Sequence, residues 1–539
     1  MKKIYIKVLS MLFLIASIFM QTSTVNAETG VTENSATIKI TGLVEGSTVK
    51  VYKIIDYNFD YTNQQTVAPT YKWNDKVKGW VDANHSSYIS DEVGEVDAVT
   101  EEYYKNNESL NEFIDQMAKN IVDNTIDYTS SSFEATATST EVIFESKANG
   151  AYLVIIENGV DIYNPVVVNV IPTHKGSIYV NADPYIVNLK SSKPSIKSEL
   201  VESDHAYEVL NYNIGDTIHH SITVDVPKYS ANAIHKKIQL ADDLSDMVTL
   251  DDSTIKVYGK DSSNTETLID ASKYMLESDV SDIVDNSITN DFIIKFEDYS
   301  NIESYSKIVV KYDATLNETA TVGTKIINNA RMNYNNKQFT DANSYKASTD
   351  KVTVYTYGME ITKVDKEDTS TVLSGAEFEL YRGNISTKDA NLLIKMIKVN
   401  DGEYRLVTEG EVASTSVTVN SAGKLKISGL DAGNYTLFET KAPSGYNLPN
   451  APLNVVIADD PIDGVITGTV NSVDTTVNNG YIQFNITNSK GFKLPETGGI
   501  GTYLFTLTGM TLIALGIFFF IILFKRRKDD EEEEGQNLH

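Results

Sequence analysis

Three stretches in the last third of the chain decide the fold that we predict: Met359-Glu360-Ile361-Thr362-Lys363, Gly433-Asn434-Tyr435-Thr436-Leu437-Phe438-Glu439 and Ile482-Gln483-Phe484-Asn485-Ile486-Thr487-Asn488. In each stretch apolar residues recur at every second position, which is the pattern of a β-strand with one buried face. Side chains two apart share a face of a strand. Lys363, Glu439 and Asn488 therefore end apolar stripes, and we predict that all three point into a core.

The rest of the body repeats this pattern, with short β-rich segments between polar turns. Examples are residues 37–40, 49–55, 152–156, 166–171, 222–226, 292–296, 308–312 and 352–355. Only residues 101–122 have loosely helical spacing. Regularly spaced strands in a chain of this kind favour β-sandwiches. We predict a mainly β protein of tandem immunoglobulin-like β-sandwich domains.

Length and composition limit the classes of function. The 539 residues correspond to three or four domains, and we place the body domains at 28–192, 193–356 and 357–490. A net charge of −28 argues against nucleic acid as a partner, because phosphate binding requires clustered lysine and arginine. The absence of cysteine removes disulfides, thiolate metal sites and cysteine nucleophiles. We predict no cofactor and no metal site.

The two ends predict an extracellular body. Residues 1–27 have a basic start, an apolar run and small residues before position 28, as in a secretory signal peptide. Residues 503–524 lack charge and are long enough to cross a bilayer as a helix. Lys525-Arg526-Arg527-Lys528 follows, and such basic residues belong on the cytoplasmic side.

Just before that apolar segment lies Leu494-Pro495-Glu496-Thr497-Gly498. The pentapeptide, apolar span and basic tail together resemble a Gram-positive LPXTG cell-wall sorting signal, here residues 491–539. The resemblance implies that a sortase attacks the Thr497 carbonyl and releases residues 498–539. The acyl group then passes to an amine of the peptidoglycan or of another protein. An ordinary single-span membrane protein is the alternative.

The third body domain resembles a Cna protein B-type domain of surface proteins and pilins. The resemblance depends on the stretches quoted first, on Leu373-Ser374-Gly375-Ala376-Glu377-Phe378-Glu379-Leu380 and on Glu439-Thr440-Lys441-Ala442-Pro443-Ser444-Gly445-Tyr446, which is similar to the pilin E-box. It implies an intramolecular isopeptide bond between Lys363 and Asn488, promoted by Glu439. Burial favours the neutral forms of the amine and the acid, which supplies the chemistry. The neutral amine attacks the carboxamide, and the protonated acid polarises it.

The second domain resembles the isopeptide-forming second domain of fimbrial backbone subunits. The similar segments are Gly215-Asp216-Thr217, Val226-Pro227-Lys228-Tyr229-Ser230, Asp242-Asp243-Leu244-Ser245 and Asn328-Asn329-Ala330-Arg331-Met332-Asn333-Tyr334. Strand parity selects Asp242 and Asn328 as inward-facing. The resemblance implies that Lys197 is the amine, although the lysine of the family often sits one residue later, where this chain has Ser198. A bulge would restore the geometry; otherwise the cross-link is absent.

Together these features resemble a sortase-assembled Gram-positive backbone pilin, or major fimbrial subunit. The resemblance implies a lysine near the end of the first domain that accepts the Thr497 acyl group of another subunit. Lys190 is our candidate, with Lys193 and Lys175 as alternatives, because the usual Tyr-Pro-Lys-Asn motif is missing. Lys228 belongs to a second-domain segment and is expected to be structural.

We therefore expect a structural subunit of a surface pilus rather than an enzyme. Its implied partners are pilus-type and housekeeping sortases, other copies of itself, minor pilins and peptidoglycan. The main alternative is a non-polymerising wall-anchored adhesin that binds a host ligand. A displayed enzyme is the third hypothesis, but the seven histidines are scattered and neither Gly-x-Ser-x-Gly nor His-Glu-x-x-His occurs.

Overall fold

A computed structural model of the chain describes residues 30–491, except 91, 93–94, 106, 129–131 and 461, together with residues 500–535. The predicted signal peptide and the pentapeptide Leu494–Gly498 lie outside the described residues. The described chain is dominated by β-strands, as the alternating pattern predicts. The strands form three successive groups along the chain, and each group forms its own sheets.

The first group combines strands with helices. Its strands β1–β14 are Ala36–Thr41, Thr48–Asp60, Gln65–Trp73, Ile89–Ser90, Ala98–Val99, Ser132–Thr136, Glu141–Lys147, Gly150–Glu157, Ile162–Tyr163, Val166–Val170, Thr173–Lys175, Ile178–Val180, Tyr185–Asn188 and Ser191–Ser192. The helices α1–α3 are Lys78–Asn84, Glu101–Lys105 and Asn107–Val122, with a 3₁₀ turn at Ser86–Tyr88. The helices pack Phe113 and Met117 against Trp73, so the helical spacing within 101–122 indicated a helix correctly. Helix α1 was not predicted.

The second group forms a sandwich of two six-stranded sheets. Its strands β15–β26 are Ile196–Glu202, His205–Tyr207, Val209–Asn211, Thr217–Asp225, Ile238–Asp243, Val248–Lys260, Glu266–Leu268, Met275–Ser281, Thr289–Lys295, Lys307–Leu316, Ile326–Asn335 and Tyr345–Tyr355, with 3₁₀ turns at Ala271–Lys273 and Tyr299–Asn301. The sheet orders are β16-β15-β18-β24-β20-β21 and β17-β26-β25-β19-β23-β22. The apolar faces of both sheets meet in one core that contains Ile222, Leu240 and Met332.

The third group is also a sandwich of two six-stranded sheets. Its strands β27–β38 are Tyr357–Asp365, Glu377–Arg382, Met396–Asn400, Glu403–Leu406, Val417–Thr418, Lys424–Leu430, Gly433–Lys441, Leu453–Ala458, Thr467–Val470, Val473–Asp474, Thr476–Asn478 and Tyr481–Asn488. The sheet orders are β29-β30-β32-β27-β38-β37 and β31-β28-β33-β34-β35-β36. Strands β27 and β38, the first and last of the sandwich, are direct parallel neighbours.

Buried contacts join consecutive groups. The side chain of Gln338 donates to the carbonyl of Tyr163 at 2.8 Å, and that of Asn336 donates to the carbonyl of Gly159 at 2.6 Å. Between the second and third groups, the amide of Ile214 donates to the carbonyl of Gly429 at 2.9 Å. One apolar cluster continues from the second sandwich into the third. The groups are therefore packed end to end through polar and apolar contacts.

A long helix, α4, follows the third sandwich at Ile500–Gly535. Its apolar part, Tyr503–Lys528, has a mean hydropathy of 2.5 and is not buried by the rest of the chain. An exposed apolar helix of this length is able to cross a membrane, in agreement with the prediction for residues 503–524.

Candidate functional site

The third sandwich brings Lys363, Glu439 and Asn488 together in its core. Strand β27 supplies Lys363, β38 supplies Asn488 and β33 of the opposite sheet supplies Glu439. In the parallel register, Lys363 lies opposite Ile486, and Asn488 is two residues further along the same face. The side chains of Lys363 and Glu439 are 0% and 3% exposed. Strand parity therefore places each of the three side chains inward.

The three side chains contact one another directly. Lys363 Nζ is hydrogen-bonded to Asn488 Oδ1 and lies 3.3 Å from Glu439 Oε2. The Asn488 Nδ2 group donates to Glu439 Oε1 at 2.6 Å and to the carbonyl of Asn447 at 2.9 Å. The amine thus contacts one side of the carboxamide, while the acid and a backbone carbonyl contact the nitrogen on the other side.

The protonation equilibria follow from burial. Desolvation lowers the pKa of Lys363, and the nearby Glu439 acts against that shift. Desolvation also raises the pKa of Glu439, against the opposing effects of Lys363 and Asn488. Both shifts favour the neutral amine and the neutral acid, because removing a group from water penalises its charged form.

The second sandwich brings Asp242 and Asn328 together but leaves Lys197 outside. Both Asp242 and Asn328 are buried, with Asp242 fully so. The Tyr312 hydroxyl links them, since it donates to Asp242 Oδ2 and accepts from Asn328 Nδ2 at 2.8 Å. Desolvation raises the pKa of Asp242 to about 8. The acid and amide of the predicted site are thus in contact through one hydroxyl.

The expectation that Lys197 supplies the amine disagrees with the structure. The Lys197 side chain is 44% exposed and forms ion pairs with Glu208 and, at 4.0 Å, Asp350. No bulge interrupts the pairing of β15 with β18 from Ile196 to Leu200. Side chains alternate without interruption, so Lys197 faces solvent and Ser198, which is 0% exposed, faces the core.

Sequence reasoning missed two members of the second-sandwich cluster, His220 and Tyr312. Their rings stack with centroids 4.7 Å apart, and His220 Nδ1 lies 3.4 Å from Asn328 Nδ2. Burial lowers the pKa of His220 to about 3. The sequence does indicate that both side chains point inward. His220 alternates with Ile218 and Ile222 on one strand face, and Tyr312 alternates with Ile308 and Val310.

Comparisons with known proteins agree with this fold. Residues 358–472 match the SpaA model, described as a prealbumin-like fold domain, and residues 486–531 match the LPXTG cell wall anchor motif. The chain is 23% identical over 430 residues to the trypsin-resistant surface T6 protein of Streptococcus pyogenes serotype M6, covering 70% of this chain and 79% of that protein. The chain is thus similar to LPXTG-anchored pilins of Gram-positive bacteria.

Two further comparisons agree with this similarity, one in sequence and one in fold. The chain is 25% identical over 335 residues to fimbrial subunit type 1 of Actinomyces viscosus, covering 56% of this chain and 60% of that subunit. The solved structure of the T6 backbone pilin of S. pyogenes serotype M6 has the same fold, with a TM-score of 0.55 and 18% identity. That alignment covers 86% of this chain and all of the T6 chain. The pilin is anchored in the cell wall, with transient membrane anchoring through helix α4.

The candidate acceptor lysines of this pilin lie at the surface. Lys190 is exposed and follows β13, at the junction between the first and second groups of strands. Lys193 is 75% exposed and 3.9 Å from Asp161. Lys175 is exposed at the end of β11. The Lys228 ammonium donates to the carbonyl of Tyr305 at 3.1 Å. All four lysines therefore have accessible side chains.

Within the described parts of the chain, no group of three or more histidine, aspartate or glutamate side chains could hold a metal ion. The scattered acidic residues instead cap local turns. Asp251, for example, accepts from the backbone amide and hydroxyl of Ser253 at 3.1 and 2.6 Å. These carboxylates have structural roles in the turns that they occupy.

Proposed function

We propose that the chain is the backbone subunit of a covalently polymerised pilus, stabilised by an isopeptide bond in its third sandwich. One observation carries this proposal: the Lys363 amine, the Asn488 carboxamide and the Glu439 carboxyl are in contact inside a buried site. The chain is a structural protein, and its only chemistry is one intramolecular turnover. We further propose 28–192, 193–356 and 357–490 as its domains.

The reaction uses only groups of the chain. Proton transfer between Lys363 and Glu439 gives a neutral amine and a neutral acid, which their surroundings favour. The Lys363 Nζ then attacks the Asn488 side-chain carbonyl carbon, forming a new C–N bond. Glu439 stabilises the intermediate by hydrogen bonding, passes its proton to Nδ2 and accepts one from Nζ. The bond to Nδ2 breaks, and ammonia leaves.

The position of the bond suits a load-bearing subunit. It joins β27 and β38, the first and last strands of the sandwich, whose outer ends connect to the second sandwich and toward Thr497. Tension entering at one end passes through the cross-link to the other end without unfolding the strands between. A disulfide would serve the same purpose, but this chain has no cysteine.

Polymerisation requires a second covalent step. We propose that a pilus-type sortase cleaves between Thr497 and Gly498, and that Lys190 of another copy accepts the Thr497 acyl group. Lys190 is exposed at the junction of the first two strand groups. A housekeeping sortase joins the finished polymer to peptidoglycan, and minor pilins are further partners.

Intact mass of the ectodomain tests the isopeptide bond. We expect the mass to be lower than the sequence mass by one ammonia, and Glu439→Gln or Asn488→Ala to restore the full mass. Lys366→Ala is the matched control, because it removes an exposed lysine of the same region and should leave the ammonia loss unchanged. An unmodified wild-type mass would contradict the proposal.

Immunoblots of cell-wall extracts test polymerisation. Wild-type chain should give a ladder of high-mass bands, and Lys190→Ala should reduce it to a single anchored band. Lys193→Ala is the control three residues away and should keep the ladder. A ladder that persists without Lys190 would identify another acceptor lysine. A single wild-type band in cells that contain the pilus sortase would favour the non-polymerising adhesin with a host ligand.

A further inference from the structure

Six buried polar atoms of the second sandwich have no hydrogen-bond partner among the described residues. Two are Asn290 Oδ1 and Asn333 Oδ1, and the other four are Ser198 Oγ, His220 Nε2, Asp242 Oδ1 and Asn328 Oδ1. Each such atom costs free energy, because its hydrogen bonds to water are lost without replacement. Four of them in one core need a physical reason.

The strand registers explain why these atoms gather in one place. Leu200 lies opposite His220, and His220 lies opposite Tyr312 in the same sheet. His220 and Tyr312 in turn contact Asn328 of the facing sheet. Ser198 precedes Leu200 by two positions on the same inward face and lies opposite Ile222, two residues from His220.

The backbone of Ser198 is fixed beside the strands that carry the amide. Its N–H donates to Asp350 Oδ2 at 2.8 Å. Asp350 lies opposite Ala330 in the β25–β26 pairing, and Asn328 is two residues from Ala330 on the same face. The first strand of the second sandwich thus directs the side chain at position 198 toward the face that bears Asn328.

We infer that Ser198, Asp242 and Asn328 form a cross-linking centre that lacks only its amine, so that a lysine at position 198 bonds covalently to Asn328. This inference rests on the chemistry proposed for the third sandwich. Asp242 has the place of the acid and Asn328 that of the amide, linked through the Tyr312 hydroxyl. The Ser198 side chain is shorter than a lysine side chain by three heavy atoms, and its hydroxyl is a weak nucleophile without a base.

Desolvation supports the assignment of the acid. It raises the pKa of Asp242 to about 8, so the carboxyl is mostly protonated at neutral pH. The acid therefore has the protonation state that the amide-activating role requires, although the native chain does not use it.

The step balances without a co-reactant. The neutral amine of a lysine at position 198 attacks the Asn328 side-chain carbonyl carbon, and a C–N bond forms. Asp242 donates its proton toward the amide and receives one from the attacking nitrogen. The bond from that carbon to Nδ2 breaks, and one ammonia leaves.

The native second sandwich consequently has no cross-link, while the third has one. Under tension, the second sandwich is then the unit that extends first. The pilus subunit would combine a locked module next to its sorting motif with an extensible module further from it.

The test is intact mass of the ectodomain carrying Ser198→Lys, with tandem mass spectrometry of its tryptic peptides. We expect the loss of two ammonias, against one in wild type, and a branched peptide that joins positions 198 and 328. Ser198→Lys with Asp242→Asn is the matched control and should lose only one. The third-sandwich bond serves as the internal standard. If only that bond fails to form, the variant loses one ammonia, and the branched peptide joins positions 198 and 328.

A second variant addresses the room that the lysine needs. Ser198→Lys with His220→Ala removes the imidazole beside Asn328 and makes space for the longer side chain. Circular dichroism and thermal melting check that each variant folds. Three outcomes would each overturn the inference. Both variants could fold and lose only one ammonia, or both could fail to fold. The third outcome is a wild type that already loses two ammonias.

Discussion

The two buried polar sites each pair a carboxyl with an asparagine amide, but they differ in the residue that the first strand of the sandwich supplies. In the third sandwich the first strand supplies Lys363, whose amine contacts both the amide and the acid. In the second sandwich the first strand supplies Ser198, whose hydroxyl has no partner among the residues that the structure describes. The second sandwich therefore lacks the amine on which the cross-link proposed for the third sandwich depends.

The comparison also shows what a nucleophile contributes to a buried site besides reactivity. Around Lys363, the amine and the amide nitrogen are both hydrogen-bonded, and one atom, Glu439 Oε2, has only the ion-pair contact with Lys363 at 3.3 Å. Around Ser198, Tyr312 satisfies one atom each of Asp242 and Asn328, and four polar atoms remain unpaired. The same polar groups are thus costly to bury without the amine, because desolvation is not offset by hydrogen bonds.

Removing the cross-link should have the largest effect. Lys363→Met keeps most of the buried alkyl volume but cannot form the bond. Lys363 and Asn488 are 125 positions apart, and in the chain-entropy model closing a loop of that order contributes about 5 kcal/mol. We expect the free energy of unfolding of the third sandwich to fall by about that amount. Urea titration, monitored by hydrogen exchange of β27, measures the change.

The control for that substitution is Lys366→Met. Lys366 is exposed and lies three residues along the chain, so the change should alter stability by less than about 0.5 kcal/mol. Equal stabilities of Lys363→Met and wild type would show that the third sandwich does not depend on a cross-link.

The acid of the second sandwich should give the next largest effect, as a pH dependence. Asp242 has a folded-state pKa of about 8 against about 3.9 when unfolded, so the folded state binds the proton more strongly. Its contribution is fully present below pH 4 and is lost as pH rises through 8. At about 1.4 kcal/mol per pH unit, the Asp242 contribution falls by about 4 kcal/mol from pH 4 to pH 7. The buried His220, whose pKa is lowered to about 3, acts in the opposite direction up to about pH 6.5, so the Asp242 contribution is measured as the difference between wild type and a variant that lacks this carboxyl.

Asp242→Asn should remove this pH dependence from the second sandwich. Amide hydrogen exchange of β18 and β19 at pH 5 and pH 7.5, corrected for intrinsic rates, measures it. Asp251→Asn alters an exposed turn carboxylate and should retain the wild-type slope. An equal slope in Asp242→Asn and wild type would mean that Asp242 ionises in the folded state as it does in water.

A smaller loss should follow from Tyr312→Phe. The change removes the hydroxyl that pairs with Asp242 Oδ2 and Asn328 Nδ2, and leaves both groups buried without it. Unsatisfied buried groups cost about 1–3 kcal/mol, so we expect a loss of about 2 kcal/mol from the second sandwich. Tyr207→Phe, at an exposed position, should be neutral in the same urea titration. A neutral Tyr312→Phe would contradict the bridging role of this hydroxyl.

Much of the fold followed from residue alternation. The period of two identified strands throughout the body and oriented Lys363, Glu439 and Asn488 correctly, because a strand that packs on one face fixes the direction of every side chain. In β15 the same alternation places Ile196, Ser198 and Leu200 on one face and Lys197 on the other, although the resemblance implied Lys197. Local alternation was the better guide to orientation.

Other features could not be read from the sequence. His220 and Tyr312 satisfied the inward parity, but their contact with Asn328 depends on how two sheets face each other across the core. Helix α1 has few turns and little periodicity, so its formation depends on the tertiary packing of its buried residue, Val81. The contact of Asn447 with Asn488 is made by a backbone carbonyl, which no side-chain pattern indicates.

The smallest effect should come from Ser198→Ala, and its sign tests the comparison most directly. Shortening the side chain at Lys363 should destabilise the third sandwich, because it removes the proposed isopeptide bond and leaves Glu439 and Asn488 without the amine. At Ser198 the substitution removes a buried hydroxyl without a described partner and leaves the β15 backbone contact with Asp350 intact. We expect the free energy of unfolding to increase by about 1 kcal/mol, measured by urea titration with hydrogen exchange of β15.

The control is Ser195→Ala. The Ser195 hydroxyl is bonded to Asp225 at an exposed site, so this substitution should not stabilise the second sandwich. A loss of stability in Ser198→Ala would mean that the hydroxyl is satisfied in solution, and the contrast between the two sites would then lie in chemistry alone.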